Sequence, residues 1–361
     1  MLGSHQPTLT QILKKFLRCA AHRDFESNFS KSAYWPSLDC PGWGRHYARG
    51  SYTDATSGKQ RSADLQGCPR ELRRLLAAPF CHDLDFVNSL PTVASQLDAL
   101  GLCPARHLAL LRDYCANREA WFADIIAWHN IPSQVDATTT AKDVAKALPI
   151  RLLHGGTYAK WVKDFGLRDA GVSNGAGYPA VTLLQEQLKG AHAATVRAMR
   201  ARYPRWTDEL MQRKRLKYAK GRPLETMLAP KRQRLEERAM ASAFAVIIQG
   251  YEDESLMTAA QVLEEGGWMV HSYQQDGVLA EPGRRADGSS AEPLATLTAR
   301  ATQTMLDVHG FRIKMIEKPF QIICKSCSSF GYRFIRRPSE GPMVKNHTFI
   351  ELRKIWYLLP P

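Results

Sequence analysis

The chain has 361 residues, 44% hydrophobic and 23% charged, a balance that excludes collagenous, disordered and membrane-embedded classes and favours a globular protein. Its 49 Lys and Arg outnumber 35 Asp and Glu, giving a formal net charge of +14. Such an excess favours a polyanionic partner, nucleic acid first and an anionic membrane surface second. The length allows two or three subdomains with cores of their own.

The eight cysteines form no compact framework, which indicates reduced thiols and an intracellular protein. No window holds the roughly 18 to 20 uninterrupted apolar residues of a membrane span, so we expect no membrane partner. Residues 10–23 are basic, acid-free and weakly amphipathic, which is typical of a surface helix or of an organelle transit peptide. The nucleus, a viral or plasmid replication site and an organelle all stay open as locations.

Residues 28–67 are rich in Ser, Gly, Tyr and Trp and predict loops and short strands. A short helix is predicted over 72–76. An apolar run over 79–87 then predicts a strand that carries Asp83 and Asp85 on one face, before a turn and Pro91. A carboxylate held at a strand end is suited to bind a hard divalent cation.

Two helices are predicted next, over 92–100 and over 105–128. The second carries apolar and aromatic residues at helical spacing. These residues are expected to form core, and base stacking is the alternative for the aromatic ones. They are Leu108, Leu111, Tyr114, Trp121, Ile125 and Trp128.

A recurrence of four residues at four-residue intervals follows in the sequence. Lys142, Lys146, Ile150 and His154 share one face of a predicted helix that Thr140 can cap and that ends at Gly155-Gly156. Pro149 predicts a bend between Lys146 and Ile150. Two lysines on one helix face can contact a triphosphate, whereas isolated lysines at this spacing would merely solvate a surface helix.

Residues 166–180 are Gly-rich without phosphate-loop spacing and predict a flexible connection. Residues 195–238 hold 14 Lys and Arg against 5 Asp and Glu, interleaved with Tyr203, Trp206 and Tyr218. Such a stretch can follow a phosphate backbone while its aromatics stack on bases, and a solvated helical face is the competing interpretation.

A long helix is predicted over 238–264, and a hairpin with Asp276 in its turn is predicted over 269–280. A loop over 281–292, a helix over 294–309 and strands over 312–316 and 321–324 complete the chain. Cys324 and Cys327 are expected to be reduced thiols, with a zinc site that includes His347 as the alternative. Two strand-borne carboxylates, Asp85 and Asp276, suit a two-metal phosphoryl-transfer site.

The recurrence resembles, in register, the fingers-helix motif of family A DNA polymerases, Arg-x3-Lys-x3-Phe-x3-Tyr-Gly. Further segments resemble the family's other motifs in the family's order across residues 58–280. They are Leu65-Gln66-Gly67-Cys68-Pro69 with Arg70 and Arg73, Asp85 with Asn88 (motif A), Gln249-Gly250, and Gln275-Asp276-Gly277 (motif C).

The resemblance implies a template-directed nucleotidyltransferase that extends a primer 3′-hydroxyl on a DNA primer-template with nucleoside triphosphates. Asp85 and Asp276 would hold two Mg²⁺ ions about 4 Å apart, and Asp83 is the alternative first ligand. Lys142 would steady the triphosphate, and Lys146 would offset charge on the pyrophosphate and donate a proton to it. The other implied substrate-binding residues are Ile150, His154, Gly155, Asn88, Gln66, Arg73 and Gln249.

Departures from the family pattern leave specificity open. The Glu that follows the motif A Asp by five residues and helps to exclude ribonucleotides is Leu90 here, and the acidic residue after the motif C Asp is Gly277. An RNA polymerase or primase with the same palm is therefore one alternative. A catalytically inactive or partner-dependent nucleic-acid-binding module is another, and a nuclease-like phosphoryl transferase fits fewer of the motifs.

The resemblance implies an α+β right-hand fold with a small antiparallel palm sheet and largely helical fingers. We expect a minimal member of the family without an exonuclease domain or a full thumb, helped by accessory replication proteins. The predicted divisions are an N-terminal region (1–57, a reduced thumb or palm edge), the first part of the palm with motif A (58–110), helical fingers with the lysine helix and the basic stretch (111–235), and the second part of the palm with motif C (236–361).

Overall fold

The computed structural model describes residues 73, 77–133, 135–136, 139–167 and 178–320, together with the backbone of four short strands nearer the N-terminus. The chain divides into two units, residues 1–320 and residues 321–361, and all described residues lie in the first. The four short strands pair as two antiparallel hairpins. They are β1 (Tyr34–Pro36), β2 (His46–Ala48), β3 (Tyr52–Thr53) and β4 (Gln60–Arg61).

A four-stranded antiparallel sheet has the order β6-β7-β5-β8, so β5 and β7 are its inner strands. Leu84 and Phe86 on β5 are buried in the core. Because side chains alternate along a strand, Asp83 and Asp85 project from the opposite face. The bounds of the four strands are β5 (His82–Phe86), β6 (Trp268–Tyr273), β7 (Gly277–Pro282) and β8 (Met315–Lys318).

The rest of the described chain is mostly helical, which confirms the predicted α+β class. Nine α-helices are described, together with short 3-10 turns at Ala105–His107 and Leu224–Thr226. The helices are α1 (Ser89–Ala94), α2 (Ala109–Ala116), α3 (Arg118–Trp128), α4 (Ala141–Leu153), α5 (Tyr158–Asp164), α6 (Pro179–Arg202), α7 (Pro204–Ala219), α8 (Ala229–Glu265) and α9 (Leu294–His309).

Helix α8 connects the helical part of the molecule to the sheet. Its 37 residues span about 55 Å, and it packs against α1, α6, α7, α9 and β6. Pro230 lies in its first turn, where a missing backbone N–H costs nothing, so the helix begins earlier than the predicted residue 238. Phe244, Ile247 and Ile248 are fully buried. One long helix therefore contacts both the fold's helical layer and the β6–β7 hairpin of the sheet.

Helix α4 has the capping predicted for it. Thr140 and Asp143 form a reciprocal capping box, with the Asp143 amide donating to the Thr140 hydroxyl at 3.2 Å. The helix is continuous from Ala141 to Leu153 with Pro149 buried inside it. The turn that ends the helix needs glycine: Gly155 has a φ of +76°, and a Cβ there would overlap Ala241 of α8.

The predicted helix over 92–100 was wrong in both bounds. Helix α1 starts at Ser89 and ends at Ala94, and turns bonded three residues back follow it. Gln96 explains the early end, because its side chain donates to the Thr92 carbonyl and also pairs with both backbone groups of Arg312. The same pairing occupies both backbone groups of Arg312, and the strand predicted over 312–316 begins only at Met315.

The single helix predicted over 105–128 is two helices that break at Asn117. The Asn117 amide side chain donates to Asp113 at 2.8 Å, and Asp113 also accepts from the Trp121 indole at 2.8 Å. Such local bonds compete with helix continuation. The predicted core residues are buried, except for Trp128, which is half-buried.

Several predictions fall outside the described residues. They are the N-terminal segment 10–23, the substrate contact by Gln66, most of the helix over 72–76, most of the Gly-rich connection, the strand over 321–324, and the thiols of Cys324 and Cys327 with His347. No helix among the described residues is long and apolar enough to cross a bilayer.

The capping box can be tested by Thr140→Ala. Loss of the cap should lower the free energy of unfolding by about 1 kcal/mol, measured by urea denaturation. Thr296→Ala removes an exposed threonine from the first turn of α9 and should change it by less than about 0.5 kcal/mol. Equal effects of the two substitutions would contradict the assigned role of Thr140.

Candidate active site

Two carboxyl-bearing residues from distant parts of the chain meet at the inner strands of the sheet. Asp85 pairs with Gly277 across β5 and β7, and the Phe86 amide donates to the Asp276 carbonyl at 2.8 Å. Asp85 is only 6% exposed, whereas Asp276 is half-buried. The pairing therefore brings together the two residues that the sequence singled out as metal ligands.

The turn that carries Asp276 is held by backbone and side-chain bonds. The Gln274 backbone N–H donates to the Gly277 carbonyl at 2.7 Å. The Gln274 side-chain amide donates to the buried Ser272 hydroxyl at 2.9 Å. Gly277 approaches β5 so closely that a Cβ would overlap the Leu84 carbonyl oxygen and crowd Asp85. This close approach explains why the position after Asp276 carries no side chain.

A cation already lies beside Asp85. Lys318, at the end of β8, pairs in register with Asp83, and its ammonium group forms an ion pair with an Asp85 carboxylate oxygen. Asp83, Asp85 and Lys318 therefore lie together on the sheet face opposite the core. Lys318 was not singled out from the sequence, because its proximity depends on the β5–β8 register and no local motif marks it.

The donor set fits a magnesium ion. Among the described residues no group of three or more His, Cys, Asp or Glu forms a ready-made metal cage. Mg²⁺ does not need one, since it is usually bound by one or two carboxylates, substrate phosphates and retained waters. Asp85 and Asp276, with Asp83 two residues away, supply that kind of ligand. Lys318 has to leave the shared oxygen before a metal ion can bind it.

Arg73 lies next to the same turn. Its guanidinium donates to the Gln274 side-chain oxygen, two residues before Asp276. The sequence indicated Arg73 as a substrate contact through its place in the motif order. The structure brings it to the turn that carries Asp276, where its guanidinium adds positive charge.

Helix α4 presents the predicted residues on the face away from its buried side. Lys142 and Lys146 are exposed, and Ile150 and His154 are partly exposed. The Lys142 ammonium binds Glu119 of α3 at 2.6 Å, and this bond holds the pKa of the Glu119 carboxyl below its usual range. A triphosphate would have to compete with Glu119 for Lys142.

Asn88 faces inward, toward the helices. It adopts a left-handed backbone at the start of α1, and its side chain donates to the Cys115 sulfur of α2 at 3.6 Å. Burial raises the pKa of the Cys115 thiol to about 11, so the thiol is neutral at physiological pH. In this structure Asn88 therefore fixes the turn after β5 against α2.

A buried carboxylate stabilises the same turn from the other side. Glu252 of α8 is fully buried and accepts a hydrogen bond from the Ser89 hydroxyl. Gln249 lies on the same helix one turn earlier and is half-buried. Sequence reasoning missed Glu252, because it is the first of three consecutive acidic residues on the long helix and no local pattern marks it as the fully buried one.

No protein-family model matches this sequence, and no curated protein matches it. A search of solved structures finds the polymerase domain of Pol1 from M. smegmatis, solved in complex with a DNA primer-template and dNTP. The similarity has a TM-score of 0.41 and 10% sequence identity, and covers 85% of this chain. The chain spans about half of that polymerase chain, 50% of its length.

Gly277→Ala tests the close approach of β7 to β5. The new methyl group meets backbone atoms, so the strands must separate, and we expect the free energy of unfolding to fall by about 2 to 3 kcal/mol. Gly166→Ala is the matched control: its φ of +60° makes alanine strained, but the space around it is open. It should cost about 1 kcal/mol. A smaller loss at Gly277 than at Gly166 in chemical denaturation would contradict the packing described.

Proposed function

We propose that the protein is a template-directed nucleotidyltransferase that adds nucleotides to a primer 3′-hydroxyl. The observation that carries the proposal is the antiparallel pairing that sets Asp85 opposite Gly277, next to Asp276. A carboxylate on one inner strand and a second in the turn that leads into the next are a donor set for two-metal phosphoryl transfer. The order of the polymerase-like motifs along the chain supports the same proposal, and a DNA primer-template and nucleoside triphosphates are the proposed ligands.

In the proposed reaction the primer 3′-oxygen attacks the α-phosphorus of the incoming nucleotide. The bond to the pyrophosphate oxygen breaks, and pyrophosphate leaves with the electron pair. Asp85 and Asp276 would hold Mg²⁺, which would neutralise phosphate charge and lower the pKa of the attacking hydroxyl, whose proton passes to solvent water. The carboxylates' task is to place that ion at the sheet, Asp85 from the inner strand β5 and Asp276 from the turn before β7.

The exposed face of α4 is proposed to meet the triphosphate. Lys146, on this face, offsets the charge that develops on the leaving pyrophosphate and donates a proton to it. Lys142, one turn earlier, steadies the triphosphate after exchanging its bond with Glu119 for one with phosphate. Arg73 and Lys318 add positive charge at the other side of the substrate.

One observation favours a second candidate, a catalytically inactive nucleic-acid-binding module. The Lys318 ammonium pairs with the same Asp85 carboxylate that a metal ion would need, and an ammonium group can replace a metal ion's charge without its Lewis acidity. Such a module would bind nucleic acid without metal-dependent turnover. The two functions differ in whether removal of the aspartates abolishes a reaction.

Primer extension tests the proposed function. A labelled primer on a DNA template with Mg²⁺ is offered deoxynucleotides and ribonucleotides separately. Asp85→Asn and Asp276→Asn should each lower the extension rate by about 1,000-fold or more, because each removes a metal ligand while keeping the shape of the side chain. Asp307→Asn, an exposed aspartate on α9, is the control and should change it less than twofold.

Asp83→Asn in the same assay decides whether Asp83 or Asp85 is the first metal ligand, since substitution of the true ligand should cause the larger loss of extension rate. The sugar of the extended product names the nucleotide class. Template binding without extension by the unmodified protein, with either nucleotide class, would contradict the enzyme and support the inactive module.

Substitutions of the two lysines of α4 should change different kinetic constants. Lys146→Ala should lower kcat about 100-fold, since it removes a proton donor that acts in the transition state. Lys142→Ala should mainly raise the KM for the nucleotide, because a residue that steadies the triphosphate binds ground state and transition state alike. Steady-state kinetics in the nucleotide distinguishes them. Equal effects on kcat from both substitutions would contradict the assigned roles.

A further inference from the structure

A cleft of about 660 Å³ opens beside the end of the lysine-bearing helix. Its walls are the turn after α4, the middle of α6, the end of α7 and the first three turns of α8. Six cationic side chains line it, and Glu237 is the one acidic lining residue. We call it the basic cleft; its cations are Lys189, Lys220, Arg222, Lys231, Arg234 and Arg238.

The charge of the basic cleft is largely uncompensated. Lys189 pairs with Glu186 at 2.7 Å, but in the described part of the chain no ion pair involves the five other cations, which are all exposed. The nearby Glu236 is already paired, because the Arg215 guanidinium donates to both of its carboxylate oxygens, at 2.7 and 2.5 Å, in a forked pair. That forked pair also joins α7 to α8 and fixes one wall. The cleft therefore presents preformed positive charge to an anion.

The spacing of the cations matches a phosphate backbone. Lys231, Arg234 and Arg238 lie along one face of α8. Arg238 is seven positions after Lys231, which corresponds to about 10 Å along the helix axis. Successive phosphates of a stacked strand rise about 3.4 Å, so this face can contact about three of them. A row of phosphates fits this geometry better than one compact anion.

The cleft also contains groups that suit a base. Tyr218 lines it and is half-buried against the core, so its ring is held in place while one part stays accessible. Aromatic rings beside a basic groove are the usual platform for unpaired bases. Opposite lies His192, whose ring nitrogen bonds the Leu153 carbonyl at 3.1 Å; burial lowers its pKa to about 4, so it adds no charge.

We propose that the basic cleft binds the phosphate backbone of single-stranded nucleic acid, about three nucleotides at a time, with a base stacked on Tyr218. This inference deepens the proposed function, because a template-directed enzyme has to hold an unpaired template strand. The binding itself needs neither Mg²⁺ nor the two aspartates. It can therefore be tested separately from turnover.

The test measures fluorescence anisotropy of a labelled single-stranded oligonucleotide of about 20 nucleotides in EDTA, as a function of salt. Lys231→Ala with Arg234→Ala removes two phosphate contacts and should weaken binding about 20-fold at 0.1 M salt. The slope of log affinity against log salt should fall by about 1.4. A double variant with Lys217→Ala and Arg232→Ala is the matched control: it removes the same charge from α7 and α8 outside the cleft and should weaken binding less than threefold.

Two more variants separate a binding role from a structural one. Lys231→Arg with Arg234→Lys keeps the charge and should restore binding to within about threefold. Tyr218→Ala should weaken binding about tenfold, whereas Tyr218→Phe, which keeps the ring, should not. Binding is measured in EDTA and without nucleotide, so failure of primer extension would leave this measurement intact.

Equal losses in the cleft variant and the matched control would overturn the proposal, because they would show that only the diffuse field of the protein attracts the strand. Binding of a blunt duplex of the same length as tightly as the single strand would also overturn it. So would displacement of the oligonucleotide by an equimolar amount of inorganic triphosphate, which would identify a free-phosphate or nucleotide site.

Discussion

The pairing of β5 with β7 is the interaction on which the candidate site depends. Its register sets Asp85 opposite Gly277, and a slip of one residue would turn Asp85 into the core and Leu84 to the other face. The core prevents that slip, because Leu84, Phe86, Val278 and Ala280 are all buried on the same side. Apolar packing on one face thus fixes where the carboxylates lie on the other.

Helix α8 extends this constraint to the rest of the molecule. It packs against β6 of the sheet, and its Glu252 accepts a hydrogen bond from Ser89 at the end of the turn after β5. Its first turns form a wall of the basic cleft, and Ala241 leaves room only for a glycine at position 155. The sheet, the lysine-bearing helix and the cleft therefore all contact one long helix.

Local signals in the sequence were enough for much of this fold. The alternation around Asp85, the Asp-Gly turn at Asp276 and the capping pair Thr140–Asp143 predicted elements that the structure contains. Boundaries set by distant partners could not be predicted: α1 ends early because Gln96 bonds Arg312, far along the chain.

The same limit explains the site residues that the sequence did not indicate. Lys318 reaches Asp85 only through strand pairing, and Glu252 meets Ser89 only through packing of α8. Lys318 places a positive charge on a candidate metal ligand, and Glu252 holds the turn that follows β5. Asn88, which the sequence indicated as a substrate contact, bonds Cys115 on α2, a helix whose position the sequence does not specify.

Affinity cleavage by iron tests the central claim, that Asp85 and Asp276 bind one metal site together. Fe²⁺ is added in place of Mg²⁺ with ascorbate and peroxide, and hydroxyl radicals cut the backbone near the bound ion. The account predicts cuts beside both Asp85 and Asp276, and the loss of both sets in Asp276→Asn alone. Cuts beside only one aspartate, or cuts that persist in the variant, would contradict a shared site.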